Sequence, residues 1–196
     1  MTLLSGRVAS VAGSGPLADA VTAALSAAGA RFDGRPDVAV WASIAEEALL
    51  ASPVVGMGEP DWVRRCEEPL FAALQFFQGA YPDLKGRDGR AVLVCPSVAL
   101  EGAAGLVPLA AAAEGQRQLA KSLARRWGRD GITVNIVTVP VGALGPAPDD
   151  ATRTERALTA DPLVAAAATV VWLASAGAAG ITGATIGADG GAVMAP

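Results

Sequence analysis

Five short, almost unbroken apolar runs, spaced by longer alanine-rich stretches, decide most of what this 196-residue chain can fold into. A strand that is apolar on both faces needs cover on both sides, which implies a parallel sheet between layers of crossover helices. The runs fall at 7–11, 37–41, 90–95, 132–138 and 185–188, and helices fit at 16–28, 60–81, 104–128 and 161–174. Gly29 is placed to cap the first helix at its C-terminus. Pro69 falls inside the second and predicts a kink or a split there. Segment 44–58 is apolar, carries Pro53, Gly56 and Gly58, and shows no period that assigns it. The Pro/Gly-rich stretch 140–148, followed by 149–155, reads as a long loop. No internal repeat is visible, so residues 1–196 are expected to form a single α/β domain.

Several function classes drop out. No run of about 18 apolar residues exists to cross a membrane. The opening Met1–Arg7 has neither the basic start nor the apolar core of a signal peptide, so a cytoplasmic location is expected. Cys66 and Cys95 fit a reducing compartment, with a disulfide between them left open. A net charge of −4 and a pI near 4.8 argue against a nucleic-acid partner. Histidine is absent, which removes the commonest general base and metal ligand, and no cysteine or acidic cluster has metal-site spacing.

Three segments carry a resemblance. They are Gly89-Arg-Ala-Val-Leu-Val-Cys-Pro-Ser97, the helix-to-strand stretch from Gln118 through Lys121-Ser-Leu-Ala124 to Asn135, and Trp172-Leu-Ala-Ser175 followed by Ile181-Thr-Gly-Ala-Thr-Ile-Gly-Ala-Asp-Gly-Gly191. In order and spacing these resemble the C-terminal half of the short-chain dehydrogenase/reductase family, in its ketoacyl-carrier-protein-reductase-like branch. The beginning, Leu4 to Gly13, resembles the family's first strand more loosely. The resemblance implies a Rossmann-like, doubly wound parallel sheet, here reduced to about five strands.

It also implies a site, and that site is broken. The family's tyrosine donates a proton, a lysine four residues later lowers its pKa and binds the nicotinamide ribose, a serine polarises the carbonyl, and an asparagine helps hold a relay water. Aligned on Lys121-Ser-Leu-Ala124, the tyrosine position holds Leu109, the lysine position Ala113 and the asparagine position Pro69; only Ser97 is retained. Leucine has no proton to give, and alanine perturbs no pKa. Ser97 alone, without histidine or a Gly-x-Ser-x-Gly elbow, forms no hydrolase triad and reads as the cap of a strand end. Tyr81 and Lys85 have the family's Tyr-x-x-x-Lys spacing but precede the Ser97 strand, where Pro82 and the 86–89 turn signal a helix terminus.

The cofactor site is degraded as well. The first turn reads Ala12-Gly-Ser-Gly-Pro-Leu-Ala18, one residue short of the family's glycine pattern, leaving Gly13 and Gly15 as a weak remnant of a phosphate cradle. After Phe32 the family's second and third strands, which carry the adenosine half of the site, are missing, and Asp33 reads as a turn residue. Trp41-Ala-Ser43 stands where the family has Asn-Asn-Ala-Gly, and Pro140 to Gly145 lacks the threonine of its Pro-Gly-x-x-x-Thr. No cofactor is expected.

What is retained suggests assembly. In the family, the helices corresponding to 60–81 and 104–128, and the region from 161 to the C-terminus, build oligomer interfaces. Without its neighbours the first strand becomes a sheet edge, which segment 44–58 or a partner chain could cover. The expectation is a catalytically inactive structural or regulatory subunit of a hetero-oligomer, partnered by a full-length active relative or by itself. Two alternatives stand beside it: an NAD(P)-dependent oxidoreductase of unconventional mechanism acting on a carbonyl or hydroxyacyl substrate, and a homo-oligomeric module binding an acyl or polycyclic ligand near Ser97 and Leu109.

Overall fold

The computed structural model describes residues 2–145 and 161–193. Much of the loop expected at 140–155, and the last three residues of the chain, lie outside them. Five parallel strands, β1 Ala9–Ala12, β2 Val38–Trp41, β3 Gly89–Pro96, β4 Ile132–Val139 and β5 Thr185–Gly187, lie side by side in that order. Each falls within one or two residues of its apolar run. Strands β2, β3 and β4 are buried along their whole length, as runs apolar on both faces require.

Among the described residues six α-helices complete the framework: α1 Pro16–Ala27, α2 Glu59–Trp62, α3 Glu68–Leu84, α4 Val98–Glu101, α5 Val107–Trp127 and α6 Pro162–Ala174. One face of the sheet packs against α1 and α6 through Val21, Leu25, Val40, Val92, Val137 and Val170. The opposite face packs against α3 and α5 through Phe77, Leu84, Leu93, Ala120, Trp127 and Ile136. Pro69 does not split its helix. A π turn at Val63–Glu67 joins α2 to α3 just before it, and the wider turn accommodates the amide hydrogen that proline lacks. Nor does Pro82 end the helix at Tyr81, because it falls in the last turn of α3, which runs to Leu84.

The missing strands leave a trace. From α1 the chain reaches the outer side of β1, where Arg31 makes one parallel bridge to Val8. The Arg31 amide donates to the Arg7 carbonyl (3.0 Å), and the Ala9 amide donates to the Arg31 carbonyl (2.7 Å). Residues 32–37 then turn back to start β2 on the other side of β1, so the expected second strand is cut to a single residue instead of being absent. A polar network fixes this short circuit. The Asp37 carboxylate accepts from the Val8 amide (3.0 Å) and faces Arg7 (3.5 Å), while Arg35 pairs with Asp83 (2.9 Å). Arg7 and the buried Arg90 both reach the Asp88 carboxylate at 2.8 Å. Cys66 and Cys95 are buried and free, which settles the disulfide question. Burial pushes the Cys95 thiol up to about 12.

Candidate functional site

In sheets of this kind a ligand crevice lies beyond the C-terminal strand ends. Here those ends deliver Ala42 and Ser43 after β2, Ser97 after β3 and Val141 after β4. The N-terminal half of α5 supplies Leu109 and Ala113, and α3 supplies Pro69. The crevice is filled by the chain itself. Leu109 is 4% exposed and belongs to an apolar cluster with Ala48, Leu49, Val98, Leu106 and Val141.

Segment 44–58 forms the roof of that cluster. A 3-10 turn at Glu46–Leu49 drops Ala48 and Leu49 into the crevice. The Ser52 amide then donates to the Gly105 carbonyl (2.9 Å), and the Arg65 guanidinium donates to the Leu50 carbonyl and the Ser52 hydroxyl. A Leu49 methyl lies 3.0 Å from where a Cβ on Gly145 would sit, so the loop after β4 closes on the same residue. This corrects one expectation: the segment covers the crevice, not the edge of β1.

Pro69, Leu109 and Ala113 do come together, around a cavity of about 10 Å³ that Arg65, Gln116 and Ser43 also line. The Gln116 side-chain amide donates to the Pro69 carbonyl (3.0 Å). Ser97 lies beyond Pro96, almost fully buried, and its hydroxyl donates to Glu101 at 3.4 Å instead of entering the cavity. It occupies the cap position of α4 but makes no side-chain cap bond. Burial raises the Glu101 pKa, nearby Asp189 adds to the rise, and the Ser97 bond acts against it. Arg65, Gln116 and Glu101 carry the polar chemistry here, and the sequence reading passed over all three. A charged residue on a helix ordinarily reads as solvated, and only the tertiary fold turns Arg65 inward.

The first turn has a structural explanation. A Cβ on Gly13 would meet the Ala42 carbonyl oxygen at 2.3 Å, so glycine is required by the neighbouring strand end with no ligand invoked. Gly15, at φ 81°, faces open space and precedes Pro16, which has no amide hydrogen to offer an anion. Asp33 is exposed at a bend, 3.9 Å from Arg31. Tyr81 and Lys85 lie at the opposite end of the sheet, where α3 turns into the start of β3.

One further feature is external. Between α2–α3 and α5 runs an apolar groove of about 760 Å³, floored by Val63, Leu70, Phe71, Leu74 and Leu119. Phe71 is 58% exposed there.

A family model described as enoyl-(acyl carrier protein) reductase matches residues 17–193. The chain belongs to the short-chain dehydrogenase/reductase family. Over 68 residues it is 37% identical to a 12alpha-hydroxysteroid dehydrogenase of a Clostridium species, a match spanning 35% of this chain and 26% of that enzyme. Among solved structures it is similar to a dehydrogenase/reductase from Sinorhizobium meliloti, with 23% identity and a TM-score of 0.82, covering 97% and 96% of the two chains. It is also similar to a short-chain dehydrogenase/reductase from Serratia marcescens, with 22% identity and a TM-score of 0.76, covering 96% and 98%. At these identities the structures share the fold. As a short-chain dehydrogenase/reductase the chain is related to oxidoreductases, and the parallel sheet is the expected one. Among the described residues no helix is long and apolar enough to cross a membrane, and no group of three or more potential metal ligands occurs.

Proposed function

We propose that this short-chain dehydrogenase/reductase does no redox chemistry of its own, holds no dinucleotide and serves as a structural or regulatory subunit beside a full-length, active relative. The observation that carries this reading is the burial of Leu109. The position that would present an acidic hydroxyl to a substrate instead presents a leucine packed under the chain's own roof, with Leu49 and Val141 where reactants would need room.

The residues present do not fit a dinucleotide. Gly13 answers to the Ala42 carbonyl that a Cβ would strike, and Gly15 leads into Pro16, which has no amide hydrogen to offer a phosphate. The second strand, which would support an adenosine, is one bridge long. Val141 and Leu49 fill the side on which a nicotinamide would lie.

The docking surface that suits a partner is the α3–α5 groove. An exposed aromatic lining an apolar groove between two helices is a typical interface anchor, and Phe71 is one. The rim of the groove carries Glu67, Glu68 and Gln118, the polar border such interfaces have. The test is purification of the tagged chain from its native cells, with Phe71→Glu alongside. The reading expects an equimolar full-length relative that Phe71→Glu releases. A stable homodimer with no relative bound would overturn the partner assignment.

A further inference from the structure

Glu114, Arg117 and Lys121 follow one another along α5 at steps of three and four, which puts them on one flank of the helix. That flank overlooks β5, the edge strand, only three residues long. Between the flank, α4 and β5 lies a pocket of about 450 Å³, lined by these three residues with Ala99, Leu100 and Thr185. Its size suits a small molecule. The α3–α5 groove uses Gly115, Gln118, Leu119 and Ser122, on another flank of the same helix.

The pocket carries donors that lack acceptors. Both oxygens of the Glu114 carboxylate in its wall are already engaged. Oε2 accepts from Arg117 Nε (2.6 Å), and Oε1 accepts from Arg117 Nη2 (2.7 Å) and from the Gln118 side-chain amide (2.7 Å). That pairing uses one edge of the guanidinium. It leaves Arg117 Nη1 without an acceptor among the described residues, on a side chain only 14% exposed. Lys121 has no carboxylate partner among the described residues either. The Thr185 hydroxyl oxygen is buried and makes no hydrogen bond. Two cations against one carboxylate leave the pocket one net positive charge.

We propose that this pocket is a binding site for a small organic monocarboxylate. The ligand's carboxylate accepts from the Lys121 ammonium and the free Nη1 of Arg117, charge-assisted bonds that are stronger than neutral ones. The Thr185 hydroxyl supplies a further bond, and Ala99 and Leu100 cover the carbon body. One net positive charge matches a monoanion; a dianion such as a phosphate monoester would face Glu114 with a charge uncompensated. The inference does not depend on whether the chain has a partner.

The test is thermal unfolding of the full chain in sodium benzoate or sodium butyrate, against sodium chloride at equal ionic strength. The carboxylates should raise Tm saturably, by roughly 3–6 °C at ten times Kd. Benzamide, which has the same shape without the charge, should not. Lys121→Gln should lose the response. Ala99→Phe, which fills the pocket from the opposite wall and leaves both cations in place, should lose it too and keeps the test decisive if Lys121→Gln does not fold. No saturable rise with either carboxylate would overturn the site, and so would a rise that both variants retain. A response to inorganic phosphate but not to the carboxylates would overturn the ligand class.

Discussion

The Lys85 ammonium donates a hydrogen bond of 3.1 Å to the Tyr81 hydroxyl, which in turn donates to Asp130 at 3.1 Å. The pair that imitates the family's catalytic spacing is thus a real contact, made at the wrong end of the sheet. Tyr81 also packs on Trp127, with ring centroids 5.1 Å apart, and Lys85 bridges to Asp130 at 3.3 Å. The cluster pins the end of α3 to the turn that follows α5. The Tyr81 bond, and then Asp130, raise the pKa of Lys85 above its ordinary value. Tyr81→Phe removes both of these hydrogen bonds and should cost about 1–2 kcal/mol in urea unfolding. It should leave co-purification with a partner unchanged; loss of the partner would show a role beyond bracing.

Leu109 gives the second prediction. Its truncation to alanine removes buried methyl groups from a cluster that closes on itself, so Leu109→Ala should cost about 2–5 kcal/mol. Restoring the family pair with Leu109→Tyr and Ala113→Lys should not restore reduction of a ketone by NADPH. It should also lower the unfolding midpoint, since a phenol and an ammonium would enter positions that are 4% and 2% exposed. Turnover by the double variant would show that the roof opens and that the crevice is still a working site.

Much of this was legible before any coordinates. The strands were, because burial on both faces leaves unbroken apolar runs such as Val92 to Cys95. That Pro69, Leu109 and Ala113 line one cavity followed from the family resemblance aligned on Lys121-Ser-Leu-Ala124, not from any pattern in the residues themselves. The Arg31 bridge was not legible, because one residue has no periodicity to read. Segment 44–58 escaped for a different reason. Ala48 and Leu49 turn inward while Leu50, Val54 and Val55 stay exposed, and which of them is buried depends on space that Leu109 and Ala113 leave open on another element. At Pro69 the sequence predicts a kink or a split, whereas the helix runs on through a π turn at Val63–Glu67 that leaves the proline in the first turn of α3.

The network at the N-terminal strand ends makes stability depend on acid. Asp88 sits at φ 53°, a left-handed conformation that aspartate and asparagine tolerate. Partial burial opposes its charge, but hydrogen bonds from Arg90 and Arg7 outweigh this and hold its pKa below the ordinary 3.8. A depressed carboxylate stabilises the fold at pH values above its unfolded pKa, and that contribution fades as pH falls through the folded value. Asp88→Asn should therefore be less stable than the parent at pH 7. The gap should close below about pH 3. Melting curves from pH 7 to 2.5 would check this, and a constant gap across the range would show that Asp88 acts by shape instead of charge.

The central claim, that this fold has given up its cofactor, is tested most directly by calorimetric titration of the purified chain with NADH and NADPH, alone and together with whatever partner it carries. The account predicts no heat from the isolated chain up to millimolar nucleotide, and binding in the complex only at the partner's own stoichiometry. Micromolar binding to the isolated chain would contradict it. It would mean that Leu49 and Val141 move aside and that the chain is a working oxidoreductase.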